Sequence, residues 1–217
     1  SYGLRNVEHL PNGIDMGKLH TNAKEIASFK RRNGIKSDKQ VVLYLGRISF
    51  EKRLDVLLES FGMMERDDAV LVIAGGGPYL QNFKDLAKTM GLNKVVFTGF
   101  VDDVSAAYGA CDLFVSASDT ETFGLTFVEA MRMGKPVVGV GRLGPKEIIC
   151  NGKNGLLVRP GNPAELARAI DRLLGDRNLR IKMGKAARIA SDKYTIEASI
   201  DRTLRIYRRL LSKPRGR

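Results

Sequence analysis

Short apolar runs separated by amphipathic stretches set the rhythm of this chain. Gln40–Leu45, Val70–Ala74 and Gly155–Val158 are almost wholly apolar and short. Runs of that kind read as strands covered on both faces. Lys94–Phe97, Leu113–Val115 and Pro136–Gly139 fit the same description. Between them the period lengthens to that of a helix. Leu54, Leu57, Leu58 and Phe61 share one face of a helix that extends to about Glu65. Further helices are predicted over 22–33, from Pro78 to about Met90, near Asp102–Gly109, and from about Gly124 to Met133. Three more cover about 163–174, 177–192 and 196–212, with a short helical turn at Gly144–Ile149. Strands alternating with helices imply right-handed crossovers and one parallel sheet. The expected fold class is therefore α/β, a doubly wound parallel sheet with helices on both faces. The chain divides into a leading segment at 1–20, the sheet domain at 21–194, and a basic amphipathic helix and tail at 195–217.

The most informative stretch follows the Leu113–Val115 strand. A polar loop leads into the helix that starts near Gly124, and Gly134 with Pro136 closes that helix. Two acids bracket the turn: Glu121 in the loop and Glu129 inside the helix, with seven residues between them. Phe123, Gly124 and Leu125 lie where the first unpaired helical amides point outward, which suits an anion. A carboxylate accepts hydrogen bonds from hydroxyls but repels phosphate. Amides for phosphate, flanked by acids for hydroxyls, suit a sugar attached to a nucleotide. Taken alone, the same spacing also fits an amphipathic helix with two solvated acids.

Composition narrows the picture. With 217 residues and 43% hydrophobic content the chain can build a real core. No apolar run reaches the length of a membrane span, and nothing at the start resembles a signal peptide. Cys111 and Cys150 sit in apolar surroundings and read as buried free thiols, which fits a reducing cytoplasm. The opening Ser1-Tyr2 in place of a Met suggests a fragment of something longer. The net charge of +12 is partly local, because seven basic residues and no acid follow Asp201: Arg202, Arg205, Arg208, Arg209, Lys213, Arg215 and Arg217. Such an excess suits nucleic acid, an anionic membrane surface or an anionic small substrate. Aromatic-interleaved basic patches are absent, so nucleic acid is the partner least expected.

Ligands of a doubly wound sheet bind outside the carboxyl ends of its strands. Gly46 and Arg47 follow the first predicted strand, Gly75–Gly77 the second, Gly99 and Phe100 the third, and Glu121–Leu125 the fourth. Arg47, a planar fork, and Lys52, a point charge, are candidate diphosphate partners. Each by itself also fits a solvated loop. The glycine triplet around Gly76 fits a tight turn before Pro78 and does not match a Gly-x-Gly-x-x-Gly fingerprint, which argues against an ordinary dinucleotide dehydrogenase. His9 and His20 are isolated, so no metal site is expected.

Together these motifs resemble the C-terminal, donor-binding domain of the retaining glycosyltransferases of the two-lobed GT-B fold, the group that includes glycogen synthases and bacterial mannosyl- and glucosyltransferases. Pro11–Asp15 resembles the family's interdomain segment, and Gly46-Arg47 with Glu51-Lys52 its phosphate-binding element. Ala74–Pro78 and Phe97–Phe100 match its next two strand ends, and Glu121 to Glu129 its Glu-x7-Glu motif. The resemblance covers nearly the whole chain and implies a Rossmann-like lobe that binds a nucleoside diphosphate sugar without metal or cofactor. It places Arg47 and Lys52 on the diphosphate and Glu121 on hydroxyls of the transferred hexose, as the candidate catalytic residue. Phe123, Gly124 and Leu125 would line sugar and phosphate, Glu129 would accept from the ribose, and the backbone at Phe100 and Val101 would meet the base.

The family's N-terminal acceptor lobe has no counterpart in the sequence, so donor binding without full activity is expected, in the cytoplasm or peripheral to a membrane. The alternatives are a basic membrane-surface or nucleic-acid module built on the terminal arginines, and a nucleotide-sugar epimerase of the same architecture. In the last helix Ile200, Leu204, Tyr207 and Leu211 form one apolar stripe, with Arg202, Arg205 and Arg209 on another face.

Overall fold

A computed structural model describes residue 8 and residues 10–212 of the chain. Its six strands are β1 (Gln40–Leu45), β2 (Ala69–Ala74), β3 (Val95–Gly99), β4 (Leu113–Ser116), β5 (Val137–Val140) and β6 (Gly155–Val158). They form one sheet in the order β3-β2-β1-β4-β5-β6, and every adjacent pair is parallel. This is the doubly wound arrangement the alternating pattern predicts. The order reverses direction between β1 and β4, which opens a crevice at their carboxyl ends.

Helices α1 (Ala23–Arg32), α2 (Leu54–Gly62), α3 (Leu80–Thr89), α4 (Val104–Ala110) and α5 (Leu125–Arg132) are followed by α6 (Leu143–Ile148), α7 (Pro163–Gly175), α8 (Arg177–Ser191) and α9 (Ile196–Ser212). One core gathers α2, α3 and α7 on one face through Leu57, Phe61, Phe83, Ile170 and Leu173. The other gathers α1, α4, α5 and α8 through Phe29, Tyr108, Phe127, Met131 and Ala187. Every residue of β2 and β4 is buried, because helices cover both faces. Helix α2 ends at Gly62, one turn before the predicted Glu65. Several helices start on a side-chain cap: Asn22 with Glu25 forms a reciprocal capping box at α1, and Asn162 caps α7 with Pro163 in its first turn.

The two ends of the described chain meet. Ile14 N–H donates to the Tyr194 carbonyl at 2.9 Å, and Ile196 N–H returns to the Ile14 carbonyl at 3.0 Å. Helix α9 then buries none of its residues and exposes Ile200, Leu204, Tyr207 and Leu211. No helix among the described residues is long and apolar enough to cross a membrane.

One sequence expectation fails here. Cys111 is buried, and burial pushes its thiol up to about 12, but Cys150 is exposed. Cys150 opens a turn in which its N–H donates to Asn154 Oδ1 at 2.8 Å and its carbonyl accepts from Lys153 N–H at 2.9 Å. The backbone is committed to that turn, and the thiol is left outside the apolar cover of Ile148 and Ile149. His20 is exposed, and its ring lies 3.1 Å from the Gly17 carbonyl. His9, Lys213, Arg215 and Arg217 lie outside the described residues.

Candidate functional site: two clefts at the switch point

Two clefts open at the carboxyl ends of the strands and share Leu45, Gly46 and Arg47 as a common wall. The first, about 320 Å³, is walled further by Ala74, Gly75, Gly76, Phe100, Val101 and Val104, and is almost wholly apolar. The second, about 340 Å³, adds Lys52, Glu121, Phe123, Gly124 and Leu125, together with Asn12, Tyr44, Ser116 and Thr126. Every predicted site residue except Glu129 lines one cleft or the other.

Close backbone contact builds the shared wall. Gly46 N–H donates to the Ala74 carbonyl at 3.0 Å, and Ile48 N–H to the Gly76 carbonyl at 2.8 Å. A Cβ on Gly75 would stand 1.9 Å from the Gly46 carbonyl oxygen, so this crossing admits only glycine. The triplet is thus the means by which the loops after β1 and β2 touch. Tyr44 secures the same loop from below, its hydroxyl donating to the Arg47 carbonyl at 2.8 Å. Burial, followed by the negative charges of Glu121 and Glu51, raises the Tyr44 phenol far above its ordinary value, so it stays a proton donor.

Helix α5 starts at Leu125 behind Gly124, which has φ 93° and supplies no side-chain cap. Its first amides therefore face the second cleft without an internal acceptor, and the helix dipole adds to their positive end. Lys52 Nζ donates to Glu121 Oε2 at 2.7 Å, and each side chain is only 21% exposed. This pair bridges the loops after β1 and β4 across the switch point. The Glu121 carbonyl is fixed in turn by Gly144 N–H at 3.0 Å, from the start of α6. Arg47 pairs with Glu51 at 2.7 Å, but with side chains 69% and 43% exposed. An exposed pair of that kind contributes about 0–1 kcal/mol, so a stronger anion displaces it readily.

Glu129 lines neither cleft. It follows Leu125 and Thr126, which do line the second cleft, by four and three positions, one helical turn deeper on the same face. Its Oε2 accepts from the Tyr108 hydroxyl at 2.7 Å. Burial raises the Glu129 carboxyl above the usual carboxylate range, and the Tyr108 hydrogen bond opposes this in part. Tyr44 and Tyr108 are the residues that sequence reasoning missed. The available signal was a phenol embedded in an otherwise aliphatic strand, and another in a helix of small residues, since a buried hydroxyl demands a partner.

A six-stranded, doubly wound parallel sheet with clefts on both sides of its switch point is the Rossmann-like lobe of a GT-B glycosyltransferase. The chain belongs to the family Glycosyl transferases group 1, which it matches over residues 25–190. It is 34% identical over 209 residues to an uncharacterized glycosyltransferase of Methanocaldococcus jannaschii, covering 93% of this chain and 54% of that protein. It is 32% identical over 194 residues to the GDP-mannose-dependent α-(1-6)-phosphatidylinositol monomannoside mannosyltransferase of Mycobacterium tuberculosis, covering 84% of this chain and 50% of that protein. The structure of Anabaena HepE in complex with UDP and glucose superposes with a TM-score of 0.83 at 27% identity, over 93% of this chain and 56% of HepE. The chain thus spans about half the length of these relatives.

Proposed function

We propose that this chain is the donor-binding domain of a glycosyltransferase that moves a hexose from a nucleoside diphosphate sugar to an acceptor with retention of configuration. The carrying observation is the pair of clefts that meet at Gly46 and Arg47, one apolar and one holding Lys52, Glu121 and the open start of α5. An apolar cleft suits a planar base, with the backbone at Phe100 and Val101 along its rim. The second suits the diphosphate and the sugar. The UDP complexes of HepE and the GDP-mannose dependence of the mycobacterial relative support a donor of this class.

In this reading Lys52, Arg47 and the α5 amides stabilise the negative charge that develops on the leaving diphosphate. Glu121, already held by Lys52, receives hexose hydroxyls and lies where positive charge grows at the anomeric carbon. Glu129 accepts from the ribose. The acceptor site belongs to a second lobe, and the exposed apolar stripe of α9 supports a contact there. Residues beyond Tyr194 then exchange amide hydrogens faster than the strands around Val41 and Leu71 in the isolated chain. Equally slow exchange would place α9 in this domain's own core.

Calorimetric titration with UDP-, GDP- and ADP-hexoses tests the donor reading. One of them binds with micromolar to submillimolar affinity, and the corresponding nucleoside diphosphate competes with it. No heat from any of the set at millimolar ligand overturns the reading.

A further inference from the structure

The Tyr108–Glu129 hydrogen bond, 2.7 Å long, joins α4 to α5 within an otherwise largely apolar core. Tyr108 is fully buried, with its ring held against Phe114 at a centroid distance of 6.0 Å, and Phe114 is braced by Phe127 at 5.1 Å. The hydroxyl also reaches the Thr126 carbonyl at 3.2 Å, so it would have an acceptor without Glu129. The carboxylate is the costly member. It is raised by burial and met by a neutral donor in place of a cation.

The charges on the surrounding elements are engaged elsewhere or exposed. Arg180 of α8 pairs with Asp112, and Arg132 with Asp192. Lys135 donates to the Gly109 and Cys111 carbonyls, and Lys146 and Glu147 of α6 are exposed.

The pair's position gives the cost a purpose. Val104 of α4 lines the apolar cleft, and Tyr108 follows it by one turn; Leu125 of α5 lines the polar cleft, and Glu129 follows it by one turn. The hydrogen bond therefore lies one helical turn behind a lining residue of each cleft. On the donor reading above, that is where the ribose lies, between base and diphosphate.

We propose that Tyr108 is the positioning residue for the carboxylate that reads the ribose. Its hydroxyl fixes Oε2 of Glu129 and leaves the other carboxylate oxygen turned toward the vicinal diol of the nucleotide. Because the ring is clamped by Phe114, the carboxylate is oriented before the ligand arrives, and little rotamer freedom is lost on binding. This inference rests on the donor reading, and the test separates the two.

Tyr108→Phe, Glu129→Gln and the double variant of the full 217-residue chain are titrated with UDP, GDP and ADP. The nucleotide that wild type binds best is then compared with its 2′,3′-dideoxy counterpart. Tyr108→Phe weakens the ribonucleotide several-fold, by no more than Glu129→Gln does, and leaves the dideoxy ligand within twofold. The double variant binds the ribonucleotide as Glu129→Gln does, because the phenol acts through the acid. Equal loss on both ligands, or losses that add, makes Tyr108 a core residue only and overturns the proposal. Tyr108→Leu, which fills apolar volume without a hydroxyl, must show the same ligand-selective loss and decides the matter if the Phe variant does not melt cooperatively. Failure of wild type to bind any of the three nucleotides overturns the donor reading itself.

Discussion

Glu121 and Glu129 are the same residue type in one short motif, and the fold treats them in opposite ways. Glu121 stands in a loop, bonded at 2.7 Å to Lys52, with its charge matched by a cation from another loop. Glu129 stands one turn inside a helix, bonded at 2.7 Å to a phenol, with no ion-pair partner among the described residues. The first arrangement pairs its charge within the chain itself. The second is under-compensated and gains most when a ligand brings hydroxyl donors. The sequence already set one acid in a loop and the other in a helix, and their long-range partners give them different electrostatic surroundings.

The largest expected effect comes from removing the cation. Lys52→Ala deletes a charge-assisted contact to the diphosphate worth about 1.5–3 kcal/mol, on the order of ten- to a hundredfold in affinity. It also leaves the Glu121 carboxylate unpaired and facing the ligand's own negative charge. Calorimetry with the preferred nucleoside diphosphate measures this, and a change within twofold would remove Lys52 from the phosphate site. Arg47→Ala acts in the same direction and less strongly, since Arg47 is the more exposed group.

Next come the acids themselves. Glu129→Gln weakens the bare nucleoside diphosphate several-fold, because the ribose is present in that ligand. Glu121→Gln leaves the bare nucleotide within twofold and weakens only the sugar-bearing donor. Identical profiles for the two variants would abolish the distinction between them.

The smallest effect is on stability without ligand. Burial raises the Glu129 carboxyl above its unfolded value of 4.5, so between those two values the native state holds more protons than the unfolded one. This contribution favours folding at low pH and is lost as pH rises through the raised value. At neutral pH the ionised carboxylate therefore costs stability. Glu129→Gln melts a few degrees higher than wild type there. The difference shrinks as pH is lowered through the raised value toward 4.5. A gap that is constant across pH would mean that the ionised acid is no burden to the fold. Lost function with gained stability is the common pattern at binding sites.

Much of this protein was legible in its sequence, for a local reason. A strand covered on both faces must be apolar throughout, so β1 and β2 announce themselves as runs, and α5 announces itself by Gly124 before it and Gly134 after it. The glycine- and charge-rich loops at the strand ends could likewise be read, because each lies next to the element that positions it.

The sequence could not set β1 beside β4, since parallel pairing fixes direction but not order. It could not place Cys150, whose exposure depends on a turn closed by Asn154. Nor could it supply the side-chain partners of Glu121 and Glu129, although the family resemblance had already given the two acids separate tasks. Their partners lie 69 and 21 residues away, on other elements, and only the packed chain brings those side chains within hydrogen-bond distance. The sequence determined which residues could bind charge and hydroxyls. The tertiary structure decided which acid meets a cation and which meets a phenol, because the dielectric and the partners at a buried site are properties of the assembled fold.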